Sequence, residues 1–81
     1  MMALAKTEQE WAERAARHLK AELKRADVTY EGLAERLSKH GIRGETVDSI
    51  KAKLKRGTFP ATFLLASLAA LEMEGVRLED L

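Results

Sequence analysis

The sequence contains no cysteine. Disulfide staples and thiolate metal sites are therefore excluded, and a reducing, cytoplasmic setting is the expectation. There is one proline and there are five glycines in 81 residues, with no linker, repeat or low-complexity segment. Histidine is limited to His18 and His40. Neither has a second histidine or cysteine at ligand spacing, so no metal site is expected. Ser38 and His40 are neighbours in a turn, which is not an activated nucleophile–base pair. Gly41 and Gly44 are not followed by the Gly-Lys-Ser of a phosphate loop. No catalytic constellation, cofactor or small-molecule substrate is expected, and the chain reads as a non-enzyme. Long apolar runs are also missing. The longest, residues 61–71, is broken by Thr62 and Ser67 and falls well short of the roughly 20 residues a bilayer requires. The opening residues carry no apolar stretch of secretory-signal length. Neither export nor membrane insertion is expected.

What is present is ordinary globular composition, 46% hydrophobic and 33% charged, over a length that suits one domain, taken as residues 1–81. A domain of this size buries only about 60–65% of the surface its unfolded chain exposes, so modest stability is expected. The net charge is +1, but the charge is segregated. Residues 1–35 hold 6 basic and 7 acidic side chains, residues 36–57 hold 7 and 2, and residues 58–81 hold 1 and 4. The middle segment thus generates a positive field that the total conceals. The isoelectric point of 8.1 is nonetheless below the value of about 9 expected of a committed nucleic-acid binder.

Three-to-four spacing of apolar residues runs through the chain, with no alternating stretch that would mark a strand. The expectation is an all-α fold of four to five helices, the first of them long. Residues 7–26 place Trp11, Ala15, Leu19, Leu23 and Ala26 on one face, with Thr7 and Glu10 spaced as a capping box. Residues 30–39 follow a Thr29 cap and turn Leu33, Ala34 and Leu37 inward. Gly32 inside that helix implies either a close-packed neighbour or simple drift. Residues 40–44 form the turn, with Gly41 as a left-handed stop and Ile42 as a plug. Residues 45–56 direct Val47, Ile50 and Leu54 inward, and Gly57 ends that helix. Thr58 and Pro60 open a helix at 60–73, apolar nearly all round and hence expected to be central and buried, with Gly75 as its stop. A short turn at 77–81 closes the chain. The expected core is Leu33, Leu37, Val47, Ile50, Leu54, Phe63, Leu64, Leu68 and Leu71.

On the third helix, the side opposite Val47, Ile50 and Leu54 carries Glu45, Ser49, Ala52 and Arg56, flanked by Asp48, Lys53 and Lys55. A helix that reads a major groove combines donors, small residues that admit the backbone, and basic residues along its rim. Ser49, Ala52, Lys53 and Arg56 fit that description; Glu45 and Asp48 oppose phosphate contact. A surface helix made basic for solubility accounts for the same residues about equally well.

The stretches VTYEGLAERL (28–37), LKRG (54–57) and LAALEMEGVRLEDL (68–81), in this order and spacing, resemble the phage-repressor and Cro-like helix-turn-helix family over residues 23–81. The junction Arg56-Gly57-Thr58-Phe59-Pro60-Ala61-Thr62-Phe63 also resembles an uncharacterised bacterial domain family. The repressor resemblance implies a lambda-repressor-like fold, a recognition helix at 45–56, and double-stranded DNA as partner, bound as a homodimer. The chain departs from that pattern in a turn about two residues longer and in Tyr30, which stands where the family commonly has a glutamine near the DNA backbone. The expectation is a small bacterial transcriptional regulator that binds DNA with full or partial sequence specificity. Arg43, Ser49, Lys53 and Arg56 are the expected groove contacts, and Thr29, Tyr30, Lys39 and Lys55 the expected phosphate contacts. The rival expectation is an interaction or dimerisation module that keeps the fold without DNA and uses the long first helix with its Trp11 stripe.

Overall fold

The computed structural model describes residues 4–81. Its elements are α1 (Glu8–Arg25), α2 (Tyr30–Lys39), α3 (Val47–Arg56), α4 (Ala61–Ala70) and a 3₁₀ turn, Leu78–Asp80. The protein is all-α, with no strand among the described residues. Residues 1–3, part of the expected domain, lie outside them. No helix among the described residues is long and apolar enough to cross a membrane.

α3 packs against both α1 and α2, and α2 also packs against α4. Between them lies one core of Leu19, Leu23, Leu33, Leu37, Ile50, Leu54, Phe63, Ala70 and Leu71, with Val28, Tyr30, Ala34, Ile42 and Phe59 partly buried against it. Ile42 thus packs where its isolation in a polar turn placed it. Leu68 is buried as expected, whereas Val47 and Leu64 are only half-buried at the core's margin.

Three of the four helices end in the same way. Beyond α1, α2 and α4 the backbone N–H groups of Val28, Ile42 and Met73 donate to the carbonyls of Leu23, Leu37 and Leu68, each at 2.9 Å. This six-to-one bond requires a left-handed residue just before the donor. Gly41 supplies it after α2, while Asp27 (φ 56°) and Glu72 (φ 61°) supply it after α1 and α4. α4 therefore stops at Ala70, not at Met73, and Gly75 is not its stop. Nor is Thr58 its cap: Pro60 occupies that position, with no side-chain hydrogen bond. α4 is also less central than its composition implies, since Leu65 is 65% exposed.

The inward face of α1 differs from the expected one. Ala12, Ala16, Leu19 and Leu23 are buried together with Glu22, while Trp11 and Ala15 are half-buried and Ala26 is exposed. The cause is the approach of α3. Gly57, left-handed at φ 74° and buried, lies so close that a Cβ there would stand 2.4 Å from the Ala12 carbonyl oxygen. Only alanines fit under that contact, so the bulky Trp11 is turned aside. The Thr7–Glu10 pair forms half of the expected box. Thr7 Oγ1 accepts from Glu10 N at 3.1 Å, but the Glu10 carboxylate takes Lys6 N at 2.8 Å. At Gly32, a Cβ would meet Thr29 Oγ1 at 3.3 Å and Val28 at 3.4 Å. The glycine thus makes room for its own helix cap, not for a packed neighbour.

Candidate nucleic-acid interface

α3 begins two residues later than its charge pattern implies. Thr46 is the N-cap. Its hydroxyl accepts from Ser49 N at 3.1 Å, and Ser49 Oγ in return accepts from Thr46 N at 2.8 Å. This reciprocal cap satisfies amides that a helix start otherwise leaves open. It also leaves Glu45 outside the helix, folded back along it. The Glu45 carboxylate accepts from Ser49 Oγ at 2.6 Å and pairs with Lys53 Nζ at 3.0 Å. Burial works to raise the Glu45 pKa, but the Ser49 hydroxyl, the Lys53 hydrogen bond and the Lys53 charge outweigh it and hold the group below its ordinary value of 4.5. Lys53 reaches the core edge as well, with Nζ 5.5 Å from the centre of the Phe63 ring, within cation–π range. Phe63 in turn meets Phe59 at 5.2 Å between ring centres.

These contacts divide the expected site residues. Ser49 in the first turn of α3 and Lys53 in its last are joined through the Glu45 carboxylate, Ser49 being further occupied by Thr46 and Lys53 by Phe63. Thr29 caps α2, accepting from Gly32 N at 3.0 Å, and Tyr30 is half-buried against the core. Arg43, Arg56, Lys39 and Lys55 are exposed. Lys51 was missed by sequence reasoning and is also exposed. It sits beside the Val47–Leu54 side of the helical wheel, so a reading centred on the opposite face passes over it. Its only signal is membership of the basic segment. Arg36 caps α4 instead, with Nη1 donating to the Ala70 carbonyl at 3.1 Å, where the helix dipole favours a cation.

Of the seven basic residues in 36–57, then, two are held internally. Lys39, Arg43, Lys51, Lys55 and Arg56 are exposed and make no ion pair among the described residues. Of the two acidic residues, Glu45 is neutralised by Lys53 and only Asp48 is exposed. At about 100° per residue, the point on α3 opposite Ile50 and Leu54 is Ala52, with Asp48, Lys55 and Arg56 to either side. The outward surface is thus a small residue rimmed by cations, acidic only in its first turn. Lys55 also faces Arg17, Lys20 and Glu13 across a 270 Å³ cleft between α1 and α3, which extends the positive surface onto α1. Complementing the helix dipole accounts for cations in the last turn of α3. It does not account for Arg43 or Lys51. No group of three or more His, Cys, Asp or Glu side chains among the described residues is placed to share a metal ion.

The fold and this surface define a small all-helical domain with a basic helix exposed on one side. A family model, a domain of unknown function (DUF6471), matches residues 11–76, which takes in α2, α3, α4 and α1 from Trp11 onward. The chain belongs to that family. No curated protein and no solved structure matches it.

Proposed function

We propose that the protein binds double-stranded DNA through α3 and the loop that enters it, as a small bacterial transcriptional regulator working in the cytoplasm. On this reading α2, the seven-residue connection at 40–46 and α3 act as a helix-turn-helix-like unit. The observation that carries it is the sorting of charge in 36–57: five exposed cations with no ion pair among the described residues, and the Glu45 carboxylate, just ahead of the helix, turned inward onto Lys53. Arg43 and Arg56 are the groove candidates, since the guanidinium fork matches guanine in a major groove. Lys39, Lys51 and Lys55 are the phosphate candidates. Fluorescence anisotropy with a labelled random-sequence duplex at several salt concentrations tests this. Counterion release gives a log–log slope near −0.9 per phosphate, so about −4 to −5 for five contacts. Lys51→Gln and Lys55→Gln should each flatten it by roughly 1. Absence of salt-sensitive binding by the dialysed protein at low ionic strength removes the proposal.

A second reading has its own observation. Trp11, Ala15, Phe59 and Leu64 line an apolar groove of 420 Å³ between α1 and the start of α4, and Leu65 stands exposed nearby in the sequence of α4. This is the surface for self-association as a homodimer, alone or alongside DNA binding. Sedimentation should show a dimer whose formation blue-shifts the emission of Trp11, the one tryptophan. A monomer at high micromolar concentration removes it.

A further inference from the structure

Residues 57–71 carry no charged side chain. α4, which makes up most of that run, is nevertheless not enclosed. Phe63, Ser67, Leu68 and Ala70 are buried, while Ala61, Thr62, Leu65 and Ala69 are exposed. Leu65 is the most exposed large apolar side chain among the described residues. At about 100° per residue the exposed four share one side of the helix. Leu65 stands at the middle of that side. Ala61 lies four residues before it and Ala69 four residues after, each rotated from it by about 40° in opposite directions. The face therefore reads the same from either end: alanine, leucine, alanine. Ala61 also lines the groove of Trp11, Phe59 and Leu64, so the two apolar surfaces are continuous.

The two ends of α4 differ in charge. The chain enters it from the basic segment, of which Arg56 is exposed, and leaves it through Glu72 and Glu74, both exposed. None of the three forms an ion pair among the described residues. α4 has no acidic residue in its first turn and no basic residue in its last, so its own sequence does not offset its dipole. A second copy laid antiparallel answers both features. It sets the basic entry of one α4 beside the acidic exit of the other, and it opposes the two helix dipoles. A parallel copy would set like charge beside like. We propose that the protein forms a two-fold dimer in which the α4 helices pair antiparallel, with Leu65 meeting its counterpart on the axis and Ala61 meeting Ala69 on either side. Such a contact is isologous, since the same patch serves both copies. The alanines admit the close approach that lets the leucines bury each other. The proposal rests on the reading of this surface as a homodimer contact and is independent of DNA binding.

The chain has no cysteine, so introduced thiols report the arrangement directly. Leu65, Ala61 and Ala69 are exposed, and cysteine at each should leave the thermal midpoint close to that of the parent. The variants are equilibrated in a glutathione redox buffer, singly and in pairs, and disulfide dimers are counted on non-reducing gels. Leu65→Cys should cross-link to itself. Ala61→Cys and Ala69→Cys should cross-link when mixed and not alone. Two copies of residue 61 stand about 12 Å apart along the helix direction, beyond the roughly 7 Å that a disulfide spans between Cα atoms. Without oxidant, Leu65→Asp should weaken self-association in sedimentation at least about tenfold, the effect of losing a buried leucine. A parent that stays monomeric overturns the homodimer reading and this arrangement together. A parent dimer that persists in Leu65→Asp, fails to cross-link through Leu65→Cys, or links Ala61→Cys to itself as readily as to Ala69→Cys overturns the antiparallel α4 pairing and leaves the homodimer reading standing.

Discussion

Replacing Gly57 by alanine should be among the most damaging single-methyl changes in this protein, for two separable reasons. The first is conformational. Gly57 has φ 74°, and an L-residue held left-handed costs about 1–2 kcal/mol. The second is contact. The new Cβ would stand 2.4 Å from the Ala12 carbonyl oxygen, 2.7 Å from its carbon and 3.0 Å from its Cβ. The first two are backbone atoms of α1 and cannot rotate away, so α1 and α3 must move apart. Overpacking of this kind costs about 1–3 kcal/mol. The expected loss is therefore about 2–5 kcal/mol, against a total of roughly 4–12 kcal/mol for a domain of this length. Gly44 provides the control. It is also left-handed, at φ 89°, but a Cβ there meets nothing within 4 Å. Gly44→Ala should show the conformational cost alone, about 1–2 kcal/mol. Urea denaturation followed by circular dichroism measures both, with unchanged m-values as the check that two-state behaviour holds. If Gly57→Ala is no more destabilised than Gly44→Ala, the close crossing of α1 and α3 is wrong, and so is the account of why Trp11 is turned aside.

Two further predictions use the same cap and terminus geometry. Glu72→Gly should stabilise the fold by about 0.5–1 kcal/mol, because glycine removes the strain of the left-handed residue after α4 and only part of that gain is lost to unfolded-state entropy; a lower urea midpoint than the parent would contradict the terminus described for α4. Glu45 is held below its ordinary value of 4.5 by Ser49 and Lys53 against the opposing effect of burial, so the stability it contributes is fully present above that value and is lost as pH falls through the depressed folded value. In Glu45→Gln the decline of thermal midpoint below about pH 4.5 should be shallower than in the parent, and identical acid limbs would refute the pairing.

The faces of α2 and α3 were legible because Leu33, Leu37, Ile50 and Leu54 repeat at helical spacing with nothing of similar size to compete. The stops at Gly41 and Gly57 were legible because glycine marks a left-handed terminus directly. α1 was misread in a specific way. Its largest apolar residue, Trp11, drew the predicted face toward itself, whereas burial at that end of the helix is set by how close α3 comes, and close approach selects Ala12 and Ala16. Small residues carry a weak hydrophobic signal and a strong steric one, and only a partner helix reveals the second. The end of α4 was invisible for the opposite reason: Glu72 takes a conformation for which the residue type gives no cue, since the packing of Met73 and Leu71 decides it.

For the basic surface the decisive event is the cap at Thr46. Reading the helix from Glu45 puts Glu45, Ser49 and Lys53 on its outside, in competition with one another for a duplex. Starting it at Val47 turns the same three into a closed unit: Ser49 is consumed by the cap, Glu45 folds onto Ser49 and Lys53, and Lys53 is drawn toward Phe63. Thr46 and Ser49 had the spacing of a capping box, but a basic segment directs attention to charge before caps. The consequence reaches the proposed function. With Glu45 spent internally, the negative charge exposed on α3 is confined to Asp48 in its first turn, where the helix dipole favours it. The exposed cations of the helix, Lys51, Lys55 and Arg56, follow it toward the C-terminal end. A duplex lying along α3 would meet repulsion only at the first turn and attraction over the rest. Its contacts would therefore concentrate toward Arg56 and the adjoining cleft of Arg17 and Lys20 on α1, which makes Lys55, shared by helix and cleft, the single substitution expected to reduce binding most.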